Sequence, residues 1–278
     1  MDPNFILLIA VFATVLALFV LWLYLIAPRA RKKAVKPFLR PYAHRGLWSA
    51  SLPENSLSAF RAAAAHGFAI ELDVQLSRDG VVMVFHDYTL ERMCGREERL
   101  GDLTAEELRR IPLKGGKNDF IPTLSEVLAV VDGRVPLLIE LKGENTNTAL
   151  VPAMLSTMSE YKGLWCVESF NPFLLCAVKK QAPHVVRGLL STNLIKDKQK
   201  GSFFRNFALS ALLLTFLCRP AFHAWNGKYP RRLALRTGIR LFGAASFVYT
   251  VKSEEEALQF MQKGICPIFD GFAPKKLH

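Results

Sequence analysis

The stretch Glu71–Asp87, ELDVQLSRDGVVMVFHD, decides how the rest of the chain is read. With the preceding Ala69-Ile70 it forms two alternating apolar runs, AIELDVQLS and VVMVFHD, that meet at Arg78-Asp79-Gly80. Asp-Gly between such runs is the strongest short-range hairpin signal. A two-residue turn on Asp79-Gly80 predicts Arg78 opposite Val81 and, in the same register, Asp73 opposite His86. Side chains two apart share a strand face, so Glu71 and Asp73 project together. One hairpin thus gathers two carboxylates and an imidazole, the start of a metal site with an acid/base group beside it.

Outward from the hairpin, short apolar strands alternate with helical stretches. YAHRG and the helix ENSLSAFRAAAAHG precede it. A charged excursion over about 88–120 follows, with one short helix near TAEELRR. IPTLSEVLAVVD then reads as a helix, with Thr123 and Glu126 at capping-box spacing. VPLLIELK, LWCVESF, HVVRGLL, AFHAWN, SFVYTV and CPIFD read as strands with helices between them. That makes nine strands, one more than an eightfold barrel needs, and the return strand of the hairpin supplies the surplus above the barrel mouth. Alternating strands and helices argue for a parallel sheet with helices outside. No GxGxxG turn follows the first strand, which argues against a doubly wound sheet. The expected fold class is α/β, a (β/α)8 TIM barrel of about 240 residues covering 41–278, with an insertion over about 88–120.

Residues 1–27 are set apart. Phe5–Ala27, FILLIAVFATVLALFVLWLYLIA, is uncharged and long enough to cross a hydrocarbon core of roughly 30 Å. A cleaved signal peptide fits less well, because the run is too long, the basic residues follow it, and no small-x-small site closes it. Asp2 lies before it, whereas Arg29, Arg31, Lys32, Lys33, Lys36 and Arg40 lie after it. The positive-inside rule therefore predicts a single-pass anchor in the cell membrane, a basic juxtamembrane linker at 28–40 and a cytoplasmic catalytic part.

The chain carries 36 Lys+Arg against 24 Asp+Glu, a net charge of +12. No motif interleaves these charges with aromatics for nucleic acid, so the expected partner is a membrane surface with anionic headgroups. Five cysteines without paired spacing suit a reducing compartment and contain no zinc pattern. Oligomeric state is not readable. The apolar region 203–217, FFRNFALSALLLTFL, is short for a second span. It reads first as a buried barrel helix and second as a helix lying on the membrane.

Barrel enzymes place their working residues at the C-terminal ends of strands. His44 and Arg45, Glu71 and Asp73, His86, Glu140 and Lys142, and Glu168 all fall there. Three carboxylates, Glu71, Asp73 and Glu140, suit Mg2+ or Ca2+ rather than a thiolate-binding metal. Arg45 and Lys142 suit phosphate oxygens, and two imidazoles can divide general base from general acid.

The ordered segments HRG at His44, PENS at Pro53, ELDV at Glu71, HD at His86, IELK at Ile139 and ESF at Glu168 resemble the glycerophosphodiester phosphodiesterase family over most of the soluble part. The resemblance implies a barrel that hydrolyses phosphodiesters with a divalent metal. By position it implies His44 and His86 as the acid/base pair, Glu71, Asp73 and Glu140 as metal ligands, and Arg45 and Lys142 as phosphate contacts. Glu54 and Asn55 would brace the site, Glu168 would support it from behind, and the insertion would shape the substrate pocket. Two departures concern the substrate: Tyr249-Thr250-Val251-Lys252 replaces a WTVN-like segment, and Phe269-Asp270 replaces Thr-Asp. Neither is expected to touch the metal or the histidines. The expected substrate is a small glycerophosphodiester, giving glycerol 3-phosphate and an alcohol. The alternatives are lysophospholipase D-type hydrolysis of membrane lysolipids, and a non-catalytic headgroup-binding module, which has no need of the histidine pair.

Overall fold

The structure, a computed structural model, describes residues 2–275. Met1 and the last three residues of the expected 41–278 unit lie outside the described residues. Helices α1 (Pro3–Ile26) and α2 (Lys32–Val35) precede β1 (Tyr42–His44), and α3 (Leu57–Ala65) leads into the hairpin β2 (Ala69–Leu76) and β3 (Val82–Val84). The excursion holds α4 (Glu91–Cys94) and α5 (Ala105–Leu108). Then follow α6 (Leu124–Val131), β4 (Leu137–Leu141), α7 (Leu150–Met158), β5 (Trp165–Ser169), α8 (Pro172–Gln181) and β6 (Arg187–Ser191). The chain continues through α9 (Phe203–Ser210), α10 (Thr215–Cys218), β7 (Phe222–Asn226), α11 (Leu233–Arg240), β8 (Ala245–Val251), α12 (Glu254–Gln262) and β9 (Cys266–Phe269).

Eight strands pair in parallel, β1 with β2, then β4 through β9, and β9 returns to β1. The result is a closed (β/α)8 barrel. The ninth strand, β3, is antiparallel to β2. Val74 pairs with both Val84 and Leu141, so β3 lies on the β1 side of β2, above the point where β1 ends. Alternation sorts the strands into two faces. Ile70, Leu72, Val74, Ile139 and Val167 pack outward with the helices. Tyr42, Ala69, Leu138, Cys166, Phe222, Phe247 and Ile268 fill the lower interior. At Gly188 a Cβ atom would lie 1.9 Å from the Phe222 ring, so this layer accepts only glycine. Gly188→Ala should lower unfolding stability by about 1–3 kcal/mol through overpacking, read as a lower urea midpoint at unchanged m-value.

Local chemistry sets the element ends. Thr123 with Glu126 and Thr104 with Glu107 form complete capping boxes on α6 and α5. Residues 28–40 are not a free linker: Val35 and Phe38 are buried in the lower interior cluster, and the Tyr42 hydroxyl donates to Phe38 O at 3.1 Å.

Two expectations need correction. The hairpin loop has three residues, not two. Ser77 N donates to Val81 O at 3.0 Å and Gly80, at φ +80°, donates to Ser77 O at 3.0 Å, a type I turn closed by a left-handed glycine. Asp79 is held in this turn by Ser77 Oγ at 2.6 Å and by the Ala105 amide of the excursion at 2.9 Å. The register therefore slips by one: Phe85 N meets Asp73 O at 3.0 Å, and His86 lies beyond the ladder. The second correction is the region 203–217, which is not a buried barrel helix. On α9, Phe203, Phe204 and Phe207 are 63%, 81% and 49% exposed. On α9 only Asn206 is buried; further on Leu212 and Thr215 are buried, and there α10 packs against α8.

Candidate active site

Parallel register brings the polar side chains to two adjacent levels at the barrel mouth. His44 is level with Glu71, Asp73 with Glu140, and Glu140 with Glu168. Glu71, Asp73 and Glu140 are all buried, and each brings a carboxylate oxygen within 4.8 Å of the others. Lys142 Nζ lies 2.9 Å from Glu140 Oε1 and 3.3 Å from Asp73 Oδ1. Arg45, at φ +59°, turns the chain sharply. Its amide donates to Glu71 Oε2 at 2.9 Å, its Nη1 donates to Glu54 Oε1 at 2.8 Å, and its Nε is 3.4 Å from Asp73 Oδ2. Asn55, also left-handed, donates Nδ2 to Asp73 Oδ2 at 2.9 Å. Ser56 then caps α3 through the Ala59 amide.

The electrostatics are unbalanced. Four buried carboxylates (Glu71, Asp73, Glu140, Glu168) face two cations (Arg45, Lys142). Burial works against an ionised Asp73, but Lys142 and Arg45 hold its carboxyl well below the usual range. Burial, and then Asp73 and Glu140, push Glu71 well above the usual range. Glu168 is raised by the same causes, burial first. Asp73 Oδ1 accepts no hydrogen bond although it is buried. A surplus of two negative charges on hard oxygens, one of them without a hydrogen bond, fits a divalent cation.

His44 lies between two carboxylates, with Nε2 3.9 Å from Glu71 Oε2 and Nδ1 3.5 Å from Asp270 Oδ2. Asp270 is in turn ion-paired to Lys252. The two departures from the family pattern therefore reach a histidine after all, because barrel closure sets the end of β9 beside β1. Burial lowers the His44 pKa, and Asp270 opposes this. His86 Nδ1 is 2.6 Å from Asp87 Oδ1. Arg92 Nε donates to Asp87 Oδ2 at 2.6 Å, and its Nη1 and Nη2 reach Glu54 at 3.0 and 2.6 Å. A continuous polar chain therefore runs from His86 through Asp87, Arg92 and Glu54 to Arg45. Gln75 Nε2 clamps the end of the hairpin by donating to the carbonyls of Phe85, His86 and Asp87 at 2.9, 3.2 and 2.8 Å.

Every residue picked from the sequence thus lies at or next to this mouth. Gln75 and Arg92 were missed, Asp87 was quoted only as part of the HD segment, and Lys252 and Asp270 were named only as departures expected to stay clear of the histidines. Gln75 was within reach of the alternation argument, since it follows Glu71 and Asp73 on the same strand face. The Lys252–Asp270 pair carries no local signal.

Fold and site define a (β/α)8 barrel with an acidic mouth able to hold a metal. Residues 44–270 match the Glycerophosphoryl diester phosphodiesterase family, and the chain belongs to it. It is 37% identical over 158 residues to a glycerophosphodiester phosphodiesterase of Caldanaerobacter subterraneus subsp. tengcongensis, a match covering 53% of this chain and 65% of that relative. It is 36% identical over 240 residues to Bacillus subtilis YhdW, provisionally named a glycerophosphodiester phosphodiesterase, covering 80% of this chain and 90% of that protein. Among solved structures, an Oleispira antarctica phosphodiesterase in complex with the product sn-glycerol-3-phosphate superposes with a TM-score of 0.68 at 25% identity. That likeness covers 83% of this chain and 92% of the other.

Proposed function

We propose that this chain is a membrane-anchored, metal-dependent hydrolase that cleaves glycerophosphodiesters to glycerol 3-phosphate and an alcohol. One observation carries the reading: the buried trio Glu71, Asp73 and Glu140 lies within 4.8 Å beside Arg45, Lys142 and His44 at the mouth of a barrel of this family. The product bound by the Oleispira relative supports the choice of substrate class.

Glu71, Asp73 and Glu140 would hold Mg2+ or Ca2+, which when bound supplies Lewis-acid charge to the phosphoryl oxygens. Arg45 and Lys142 orient the phosphodiester and offset charge on its non-bridging oxygens. Asp87 accepts from Nδ1 of His86, which leaves Nε2 as the working nitrogen. One imidazole takes the proton of the nucleophile and the other protonates the departing alcohol. The nucleophile is water, or a neighbouring substrate hydroxyl that first expels the alcohol to leave a cyclic phosphate, which water then opens to glycerol 3-phosphate. Glu54 and Asn55 hold Arg45 and Asp73 in place, and Glu168 lies beside Glu140 as a supporting carboxylate.

An uncleaved single-pass anchor in the cell membrane is supported by two features, and the basic residues that follow it, Arg29 to Arg40, support a barrel in the cytoplasm. α1 is one helix long and apolar enough to cross a membrane. Its C-terminal turn is also built into the barrel: Ile26 is buried, and Arg219 Nη1 donates to Tyr24 O and Ala27 O at 3.0 and 2.7 Å. Cleavage there would strip a packed surface.

Lysophospholipase D-type activity is the second reading. It is favoured by the exposed Phe203, Phe204 and Phe207 on α9, in the connection leaving the C-terminal end of β6, and by exposed Phe170 and Phe173 after β5. The test uses the full chain in detergent with Mg2+, Ca2+ or EDTA, measuring phosphomonoester release from glycerophosphoethanolamine and from a lysolipid. Metal-dependent release, lost in EDTA and restored by added metal, is the expected result. A higher kcat/KM on the lysolipid selects the second reading. Folded protein inactive on both substrates with either metal overturns the proposal.

A further inference from the structure

In the hairpin loop and the excursion after it, the chain pairs its arginines with acids. Arg78, Arg92, Arg96, Arg99, Arg109 and Arg110 each contact a carboxylate. A cleft of about 780 Å3 breaks this habit: Arg29, Arg31, Lys179, Arg187 and Arg219 line it with His184, and no acid is among the lining residues. Among the described residues none of the five cations forms an ion pair. The cleft opens at the N-terminal ends of the strands. Arg187 is the first residue of β6, and Arg29 N donates to Pro220 O just before β7 at 2.9 Å. It is therefore separate from the catalytic mouth at the other end of the barrel.

Helix capping accounts for part of this arrangement. Arg219 serves the last carbonyls of α1, Lys179 Nζ donates to Leu217 O at 3.0 Å, and Arg31 Nη1 donates to Pro183 O at 2.9 Å. Three helix ends, α1, α8 and α10, supply at most roughly −1.5 charges against five cations. Arg31, Arg187 and Arg219 also donate through Nη1 alone. Arg187 is only 5% exposed, and its Nε is buried with no partner. A buried guanidinium without a counter-charge is costly unless an anion completes it. Burial, with Arg31 and Arg29 adding to it, holds the Arg187 pKa below its ordinary value.

We infer that this cleft is a second, non-catalytic site for a phosphate group. Planar guanidinium forks with free Nε and Nη2 donors match phosphate oxygens. The source is either free phosphate or the headgroup of an anionic phospholipid. The second is positioned by α1: residues 3–21 are exposed and span roughly 28 Å as a helix, close to a hydrocarbon core. That sets Arg29 and Arg31 at headgroup depth, where basic pockets take lipid phosphates. The site does not depend on the catalytic assignment.

The test uses the full chain and Arg29→Gln/Arg31→Gln, an exposed and a half-buried position that carry no core packing. Arg187→Gln is a second variant. In detergent, equilibrium dialysis of inorganic phosphate should show one equivalent for this cleft in wild type, the second equivalent where the mouth also binds one. In the double variant the cleft equivalent should bind about ten-fold or more weakly, with turnover of a water-soluble diester unchanged. In nanodiscs, 30% phosphatidylglycerol in phosphatidylcholine should raise the wild-type melting temperature more than that of the double variant. It should also remove the cleft phosphate equivalent, which identifies the lipid as the source. A cleft equivalent with no response to phosphatidylglycerol identifies free phosphate instead. Equal phosphate stoichiometry and equal lipid response in wild type and both variants overturn the proposal and leave the cations as helix caps only.

Discussion

His86→Ala and His44→Ala should each lower kcat on glycerophosphoethanolamine by about 10²–10⁴-fold, the range for general acid/base groups, while the melting temperature should stay close to wild type. The reason for the small stability effect is on hand in both cases. Removing the His86 ring leaves Asp87 paired with Arg92, and removing the His44 ring leaves Asp270 paired with Lys252. No buried charge is orphaned, so a large loss of rate reports chemistry and not unfolding. KM should change little, since Arg45 and Lys142 remain to hold the phosphate. Full activity in both variants would remove the histidines from the mechanism.

Asp73→Ala abolishes the response to metal. Wild-type protein should gain about 2.7 kcal/mol of stability at a free ion concentration 100 times Kd, read as a rise in melting temperature. The variant gains none and is inactive at every metal concentration. In EDTA the two proteins should melt at similar temperatures. Arg45 keeps Glu54 and Lys142 keeps Glu140, and losing one of four crowded carboxylates relieves repulsion that offsets the lost contacts to Asn55 and Arg45. A purely structural Asp73 would instead cost stability in EDTA as well. The EDTA comparison therefore separates a ligand from a brace.

Much of this molecule can be read from its residues because two periodicities coincide. Period-two alternation in β2 and β4 puts Glu71 and Asp73, and Glu140, inside while Ile70, Leu72 and Ile139 go out. Parallel register then sets Asp73 level with Glu140, one inward-facing step above Glu71, without further instruction. What escaped reading depends on distant partners. The hairpin loop lengthened because Asp79 is bound by Ala105, 26 residues away, and no local turn rule contains that contact. Asp270 reaches His44 only because the sheet closes. The 203–217 run misled for another reason: apolar composition says that a surface avoids water, not which surface covers it, and α9 leaves its phenylalanines open.

The way α1 joins the barrel has a mechanical consequence. Between Ile26, buried against the barrel, and Arg29, bonded to Pro220, there is no slack. A barrel on a loose tether would swing freely above its bilayer, whereas one on a strut turns only as the strut turns. With α1 in a membrane, a change in hydrocarbon thickness that tilts the helix tilts the whole barrel with it, so the direction in which the mouth, at the far end of the barrel, points relative to the bilayer follows the thickness of the membrane.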